Sequence, residues 1–407
     1  MLIDSFLRRI IRQGELIITD SAGRQHHYGT PDPGRAPVRM TFHDARVPFD
    51  IARRPSLGMA EAYMDQRIDI EGEDILGLID LFRANSSWEA KVDSGLGRGE
   101  RRWLTQLRRF NSQRASRANV AHHYDLSDRL YDLFLDRDKQ YSCAYFSPEN
   151  ETRDLDRAQL EKKAHIAAKL NLKPGLKVLD IGCGWGGMAL YLNRVADVDV
   201  LGITLSEEQL KVGRARAQEA GVADRVKFEL IDYRVLEGKF DRIVSVGMFE
   251  HVGVPSFRTY FGRIRDLLAA DGVALIHTIG RIGAPSFTDA FTRKYIFPGG
   301  YIPALSETVA ASEREHLMLS DVEVLRVHYA HTIEHWYERT TAAKAEIVKL
   351  YDERFYRMWR FYLAGALTVF RWGDMVNFQL QYVRDRHALP LTRDYMAEAE
   401  KALLAKG

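Results

Sequence analysis

Ten residues, Val178 to Gly187, constrain this chain more than any others: V-L-D-I-G-C-G-W-G-G. A short apolar run ends in an acid, crosses a glycine-dense turn and enters a helix-like stretch from Met188 to Val195. That order reads strand, tight loop, helix. Glycines in such a loop let the backbone approach a ligand at the helix N-terminus. Such a turn either holds a ligand or only tightens a strand–helix joint, and the residues around it decide which.

Gly182, Gly184 and Gly187 satisfy G-x-G-x-x-G, the pattern of dinucleotide sites. Two features argue against a dinucleotide. A nicotinamide site wants an acid about 20 residues on, at the end of the next strand, to hold the ribose hydroxyls. Here the next strand runs from Val198 to Ser206, and Thr204 stands at its end. Asp180, just before the glycines, would repel a pyrophosphate and attract an ammonium. S-adenosylmethionine carries an ammonium, a sulfonium and no phosphate. The turn thus reads as the first motif of a class I methyltransferase.

Strand and helix patterns alternate after a helix over 155–171: 177–181, 188–196, 198–204, 207–220, 226–230, 240–246, 256–269 and 272–279. The alternation predicts an α/β fold, a doubly wound and mostly parallel sheet with helices on both faces. An insertion over about 281–316 follows, then a strand near 321–331 and aromatic-rich helices over 334–386. Residues 391–407 read as a polar helix or tail. Upstream, 1–92 reads as a small α+β domain. Leu2, Ile3, Phe6, Leu7, Ile10 and Ile11 share one helical face there, strands are expected at 15–19 and 38–42, and 55–85 looks helical. The catalytic domain is expected over 120–390.

Between them, 93–119 is a basic linker with seven arginines from Arg98 to Arg117 against one acid, Glu100. Trp103, Leu104, Leu107 and Phe110 share a helical face among those arginines. Two readings stand: a solvated linker, or an interfacial helix on anionic lipid. No nucleic-acid motif accompanies the patch, and a net charge of +2 gives no global pull toward nucleic acid. The two cysteines, Cys143 and Cys183, lie in separate motifs and imply no disulfide framework. With no apolar run of spanning length and no signal-peptide pattern, a cytoplasmic protein is expected, and were its substrate a membrane lipid it would have to reach it from the surface, at the inner face of the membrane.

Further motifs flank the turn: His123-Tyr124-Asp125-Leu126-Ser127, Y-S-C-A-Y-F at 141–146, G-I-T-L-S-E-E-Q at 202–209, Asp232-Tyr233-Arg234, F-E-H-V-G at 249–253 and K-Y-I-F-P-G-G at 294–300. In this order they resemble the cyclopropane-fatty-acid synthase family, which includes the mycolic acid cyclopropane synthases, from about Ala121 to Arg386. The resemblance implies methyl transfer from S-adenosylmethionine to the cis double bond of a phospholipid acyl chain, with ring closure and bound bicarbonate as the base. It implies a bicarbonate cradle of Cys143, Glu250, His277, the backbone at Ile279, and Tyr329. It implies cofactor contacts from Tyr141, Ser142, Asp180, Gly182, Gly184, Thr204, Leu205, Gln209, Asp232 and Tyr233. Lipid contacts are expected around Tyr295, Phe297 and Tyr301, whose bland alternative is a packed lid. A homodimer, an accessory role for the N-terminal domain and a seventh, antiparallel strand are also implied. A related acyl methyltransferase yielding a methyl-branched or methylated unsaturated chain is the alternative.

Overall fold

The computed structural model describes residues 1–89 and 126–407. The basic linker and the His123 motif fall largely outside the described residues. By contact, the described residues form two compact units.

The first unit gathers 1–89, 288–298 and 333–374. Its four-stranded sheet has the order β2-β1-β3-β4, from β1 (Gly14–Thr19), β2 (Gln25–Thr30), β3 (Val38–Phe42) and β4 (Ile68–Ile70). Helix α1 (Asp4–Ile10) buries Leu7 and leaves Phe6 at the surface. Helices α2 (Val47–Arg53), α3 (Pro55–Met64) and α4 (Ile75–Ala84) complete the N-terminal part. The stretch expected to be helical over 55–85, punctuated by Gly58 and Gly72, also contains β4, because Ile68 and Ile70 alternate with Asp69 and pair with β3.

The second unit, 126–287, 299–332 and 375–407, carries a seven-stranded sheet. Its strands are β5 (Lys177–Ile181), β6 (Asp199–Thr204), β7 (Val226–Leu230), β8 (Phe240–Val246), β9 (Leu268–Arg281), β10 (Met318–Val324) and β11 (Met375–Val383). The order is β10-β11-β9-β8-β5-β6-β7. The five strands β5 to β9 run parallel, and β11 is antiparallel to both β9 and β10. Chain order reverses between β5 and β8, the switch point where open α/β sheets place ligands. Helices α5 (Asp128–Phe134), α6 (Leu155–Lys169), α7 (Gly187–Ala196), α8 (Glu207–Glu219), α9 (Phe257–Leu267) and α10 (Leu305–Arg314) surround it. Helix α11 (His328–Ala342) starts in this unit and ends in the first, followed by α12 (Lys344–Leu350) and α13 (Glu353–Trp372). Helix α14 (Asp394–Leu404) ends the chain.

Three further expectations change. The seventh, antiparallel strand is β11, inside the stretch read as helical. The strand expected at 321–331 ends at Val324, and α11 begins at His328. The aromatic helix α13 packs with the N-terminal residues, so the contact units cross the expected 1–92 and 120–390 division. In the first unit Trp372 Nε1 donates to Asp80 at 2.7 Å and Tyr63 lies 6.3 Å from Phe361.

Helix α6 is unusual. Its sequence is polar, yet Gln159, Glu161, Lys162, Lys163, His165 and Lys169 are all buried. Buried charges persist when paired and hydrogen-bonded: Glu161, Lys163, His165 and Lys169 have ion-pair partners, and Lys162 is held by two neutral hydrogen bonds.

Candidate active site

The glycine turn is sealed before any ligand arrives. The N–H groups of Gly182 and Cys183 both donate to the Ile203 carbonyl, at 2.9 and 3.0 Å. Gly186 has φ of +85°, and a Cβ there would stand 2.6 Å from the Phe228 ring. Only glycine meets both demands.

Above the turn lies one cavity. All ten residues expected to hold the cofactor line it: Tyr141, Ser142, Asp180, Gly182, Gly184, Thr204, Leu205, Gln209, Asp232 and Tyr233. Asp180 is 1% exposed and its Oδ2 has no hydrogen-bond partner. Burial pushes its carboxyl up to about 7, opposed by the Lys162 ammonium. An orphaned buried acid facing a cleft suits a cationic ligand, as the ammonium of S-adenosylmethionine requires. At the strand end where ribose-binding acids usually stand, the Thr204 hydroxyl donates to Gln209 Oε1 at 2.9 Å and accepts from the Ser206 N–H at 3.1 Å. Gln209 thus keeps its NH2 group for the cavity. Asp232 pairs with Arg234, whose Nη2 lies 2.6 Å from Oδ2. Tyr141 sits edge-on to Tyr131, 5.4 Å between ring centres, which ties its segment to α5.

Sequence reasoning missed several participants. Trp185, Arg234, Met248 and His251 also line the cavity. Burial lowers the His251 ring to about 4, so it stays neutral. Lys162 is fully buried and donates to Ser142 Oγ at 2.9 Å and Gln140 Oε1 at 2.8 Å. Burial lowers its ammonium to about 8. An ammonium has no acceptor capacity, so the Ser142 hydroxyl proton must point elsewhere. A lysine on a helix usually marks a solvated face, and nothing in the local pattern set this one apart.

The five cradle residues do not border that cavity. The structure joins two of them: Glu250 Oε1 accepts the Ile279 N–H at 2.5 Å. Glu250 Oε2 is buried without a partner, and burial raises the carboxyl to about 7. Cys143 is fully buried and its thiol is pushed up by burial, which suits a packed group and not a nucleophile. The next residue, Ala144, donates its N–H to Thr332 Oγ1 at 3.0 Å, and Tyr329 lies one turn before Thr332 on α11. Cys143 and Tyr329 therefore belong to one seam. His277 lies inside β9, not at its end, and both ring nitrogens are engaged. Nε2 is 2.9 Å from the Asn377 amide and Nδ1 is 3.2 Å from that of Gln379. The backbone donor at Ile279 is likewise already used by Glu250. The cradle is thus not a set of idle donors, and Glu250 Oε2 is its open acceptor.

The expected lipid residues fall in both units. Tyr295 and Phe297 belong to the first unit, where the Tyr295 hydroxyl donates to Glu61 at 3.0 Å beside Lys294. Phe297 meets Tyr362 edge-on at 6.1 Å. Tyr301 belongs to the second unit. It is buried, its hydroxyl donates to Glu307 at 2.7 Å, and its N–H donates to the Glu250 carbonyl at 3.0 Å. For Tyr301 the geometry is that of a packed support beneath Glu250.

A family model described as mycolic acid cyclopropane synthetase matches residues 111–380. The chain belongs to that family. Residues 7–90 match a domain of unknown function, DUF7884. The cyclopropane-fatty-acyl-phospholipid synthase of Escherichia coli K12 is 38% identical over 360 residues, covering 86% of this chain and 89% of that protein. A probable fatty acid methyltransferase of Pseudomonas putida is 41% identical over 304 residues, covering 71% and 76%. Among solved structures, the mycolic acid cyclopropane synthase CmaA1 complexed with S-adenosylhomocysteine and CTAB is similar with a TM-score of 0.62. It is 35% identical, with 65% of this chain and 97% of that one covered. Family and fold together make this protein an S-adenosylmethionine-dependent methyltransferase of class I architecture. Among the described residues no helix is long and apolar enough to cross a membrane.

Proposed function

We propose that the enzyme methylates the cis double bond of an unsaturated phospholipid acyl chain and closes a cyclopropane ring. The observation that carries this reading is Glu250: a buried carboxyl, half-satisfied by Ile279, with its second oxygen open and its proton affinity tuned near neutrality. In the reaction the alkene attacks the sulfonium methyl carbon and S-adenosylhomocysteine leaves. The resulting carbocation loses a proton from the new methyl group as the ring forms. Bicarbonate, when bound, supplies a base of suitable strength near that methyl. This chain's part is to hold the cofactor through Asp180, Ser142 and Gln209, to exclude water that would trap the cation, and to take up a hydroxyl proton at Glu250 Oε2. The E. coli relative's name supports the phospholipid substrate.

A second reading has its own support in the P. putida relative, a fatty acid methyltransferase: the proton leaves from elsewhere and a methylated chain results. On either reading the enzyme meets its lipid from the cytoplasmic surface of the membrane, with the basic linker 93–119 docking on anionic headgroups and the homodimer as working form.

Product analysis separates the two. The protein is incubated with S-adenosylmethionine, bicarbonate and vesicles of cis-unsaturated phospholipid, and the released fatty acids are compared with standards by chromatography and proton NMR. Ring protons are expected. A retained alkene bearing a new methyl moves the enzyme to the second reading. Absence of transfer with cofactor still bound rejects both lipid readings.

A further inference from the structure

Strand β11 carries two faces of opposite character through the protein interior. Val376, Phe378, Leu380 and Tyr382 enter the apolar core. Asn377, Gln379 and Gln381 alternate with them, each 1% exposed. A buried amide must find partners for a carbonyl oxygen and for an NH2 group, and its direction is set by whichever neighbour cannot reverse roles.

Such a neighbour exists at the end of α6. Lys169 is 3% exposed, ion-paired with Glu323, and donates from Nζ to Gln379 Oε1 at 2.7 Å. An ammonium only donates, so the Gln379 carbonyl must face it. The NH2 end of the same amide then faces His277 Nδ1 at 3.2 Å, in the register that pairs His277 with Gln379 across β9 and β11. A ring nitrogen facing a donor must offer a lone pair. The single proton of a neutral imidazole is left on Nε2, 2.9 Å from Asn377 Nδ2, so the Asn377 amide must turn end for end to accept it with Oδ1. Glu323 is fixed in turn by His165, whose other nitrogen meets Glu400 of α14 at 2.9 Å.

We propose that Lys169 is a positioning residue that sets the tautomer of His277 through Gln379, holding the ring neutral with its proton on Nε2. The charge is never in contact with the ring. It sets the tautomer by fixing the sense of one amide. Burial and the Lys162 and Lys169 ammonium groups oppose a second proton on the ring. The value of this arrangement for methyl transfer rests on the function proposed above; the tautomer does not.

Ring-15N-histidine NMR tests the tautomer directly. Ile276-His277 is the only Ile–His step in the sequence, so carbonyl-13C isoleucine labelling picks out its backbone signal among the 13 histidines. The wild type should show unprotonated Nδ1 and protonated Nε2. Gln379→Glu keeps the shape but accepts on both sides, and should move the proton to Nδ1. Lys169→Met should give a mixture, because the amide is then free to turn. Methyl transfer in Gln379→Glu should fall about tenfold or more, as wrong-tautomer variants of other enzymes do, with the KM for S-adenosylmethionine within about twofold. A wild-type ring protonated on Nδ1 overturns the proposal even if neither variant folds, and so does a Lys169→Met spectrum identical to wild type. A proton that moves while transfer is unchanged overturns the positioning role but leaves the Glu250 reading intact.

Discussion

Asp180 and Glu250 are carboxyl groups that burial holds near neutrality, each raised to about 7 from ordinary values of 3.8 and 4.5. A raised carboxyl binds its proton more tightly in the folded state. Its contribution is therefore fully present below the unfolded value and is lost as pH rises through about 7. In ligand-free protein, Asp180→Asn should gain in melting temperature on the wild type between pH 5 and pH 8, as calorimetry at both pH values will show. The same variant should lose about 1.5–3 kcal/mol of S-adenosylmethionine binding at pH 8, because the carboxylate is its charged partner. Glu250→Gln should leave cofactor affinity within twofold by titration calorimetry while methyl transfer drops roughly 10²- to 10⁴-fold. The wild-type rate should rise with pH through about 7, as the carboxylate form of Glu250 fills. Both acids stand in short motifs that the sequence displays, Asp180 within the last residues of β5 and Glu250 in a 3-10 turn four residues beyond the end of β8. Lys162 and Lys169 were not legible, because a buried lysine and a solvated one have the same letter, and only tertiary packing distinguishes them.

Strand β11 shows where element-level reading fails. Val376-Asn377-Phe378-Gln379-Leu380-Gln381-Tyr382-Val383 alternates with period two. The aromatic run of α13 just before it invited one long helical stretch, and the polar positions do not mark solvent here: they line an interior seam. Gln381 illustrates it, donating to the Lys169 carbonyl at 2.6 Å and to Tyr395 at 2.8 Å. Gln381→Leu should cost about 1–3 kcal/mol in denaturant unfolding, since the Lys169 carbonyl, the Tyr395 hydroxyl and the Ser320 hydroxyl all lose a partner at a buried position. An exposed polar position would tolerate the change within about 0.5 kcal/mol. By contrast β5 to β8 were legible to within a residue, because buried parallel strands read as apolar runs bounded by glycine and acid turns, whereas β9 runs over Leu268–Arg281, longer at both ends than the expected 272–279.

At the scale of the whole molecule, the first unit is assembled from three stretches far apart in sequence. Helix α13 is bound to the N-terminal residues by Arg354 to Asp65 at 2.8 Å, Arg371 to Asp80 at 3.2 Å and the Tyr63–Phe361 contact. A chain begun at residue 120 would bare the side of α13 that these residues cover. It should aggregate or melt without a cooperative transition, a loss comparable to the roughly 5–15 kcal/mol that holds a domain together. Circular dichroism and light scattering on the truncated chain check this, and a cooperative melt within a few degrees of the full chain would contradict it. No reading of linear composition could place α13 there, because its apolar stripe fits any apolar partner.

That arrangement also constrains descent. Two ends of the chain that must fit one another cannot drift separately: a change at Tyr63 or Asp80 alters the selection acting on Phe361 and Arg371, some 290 residues away. A recombination event that brought in a foreign N-terminal segment without its matching later stretches would deliver a mismatched pair, so the three stretches should share one genealogy.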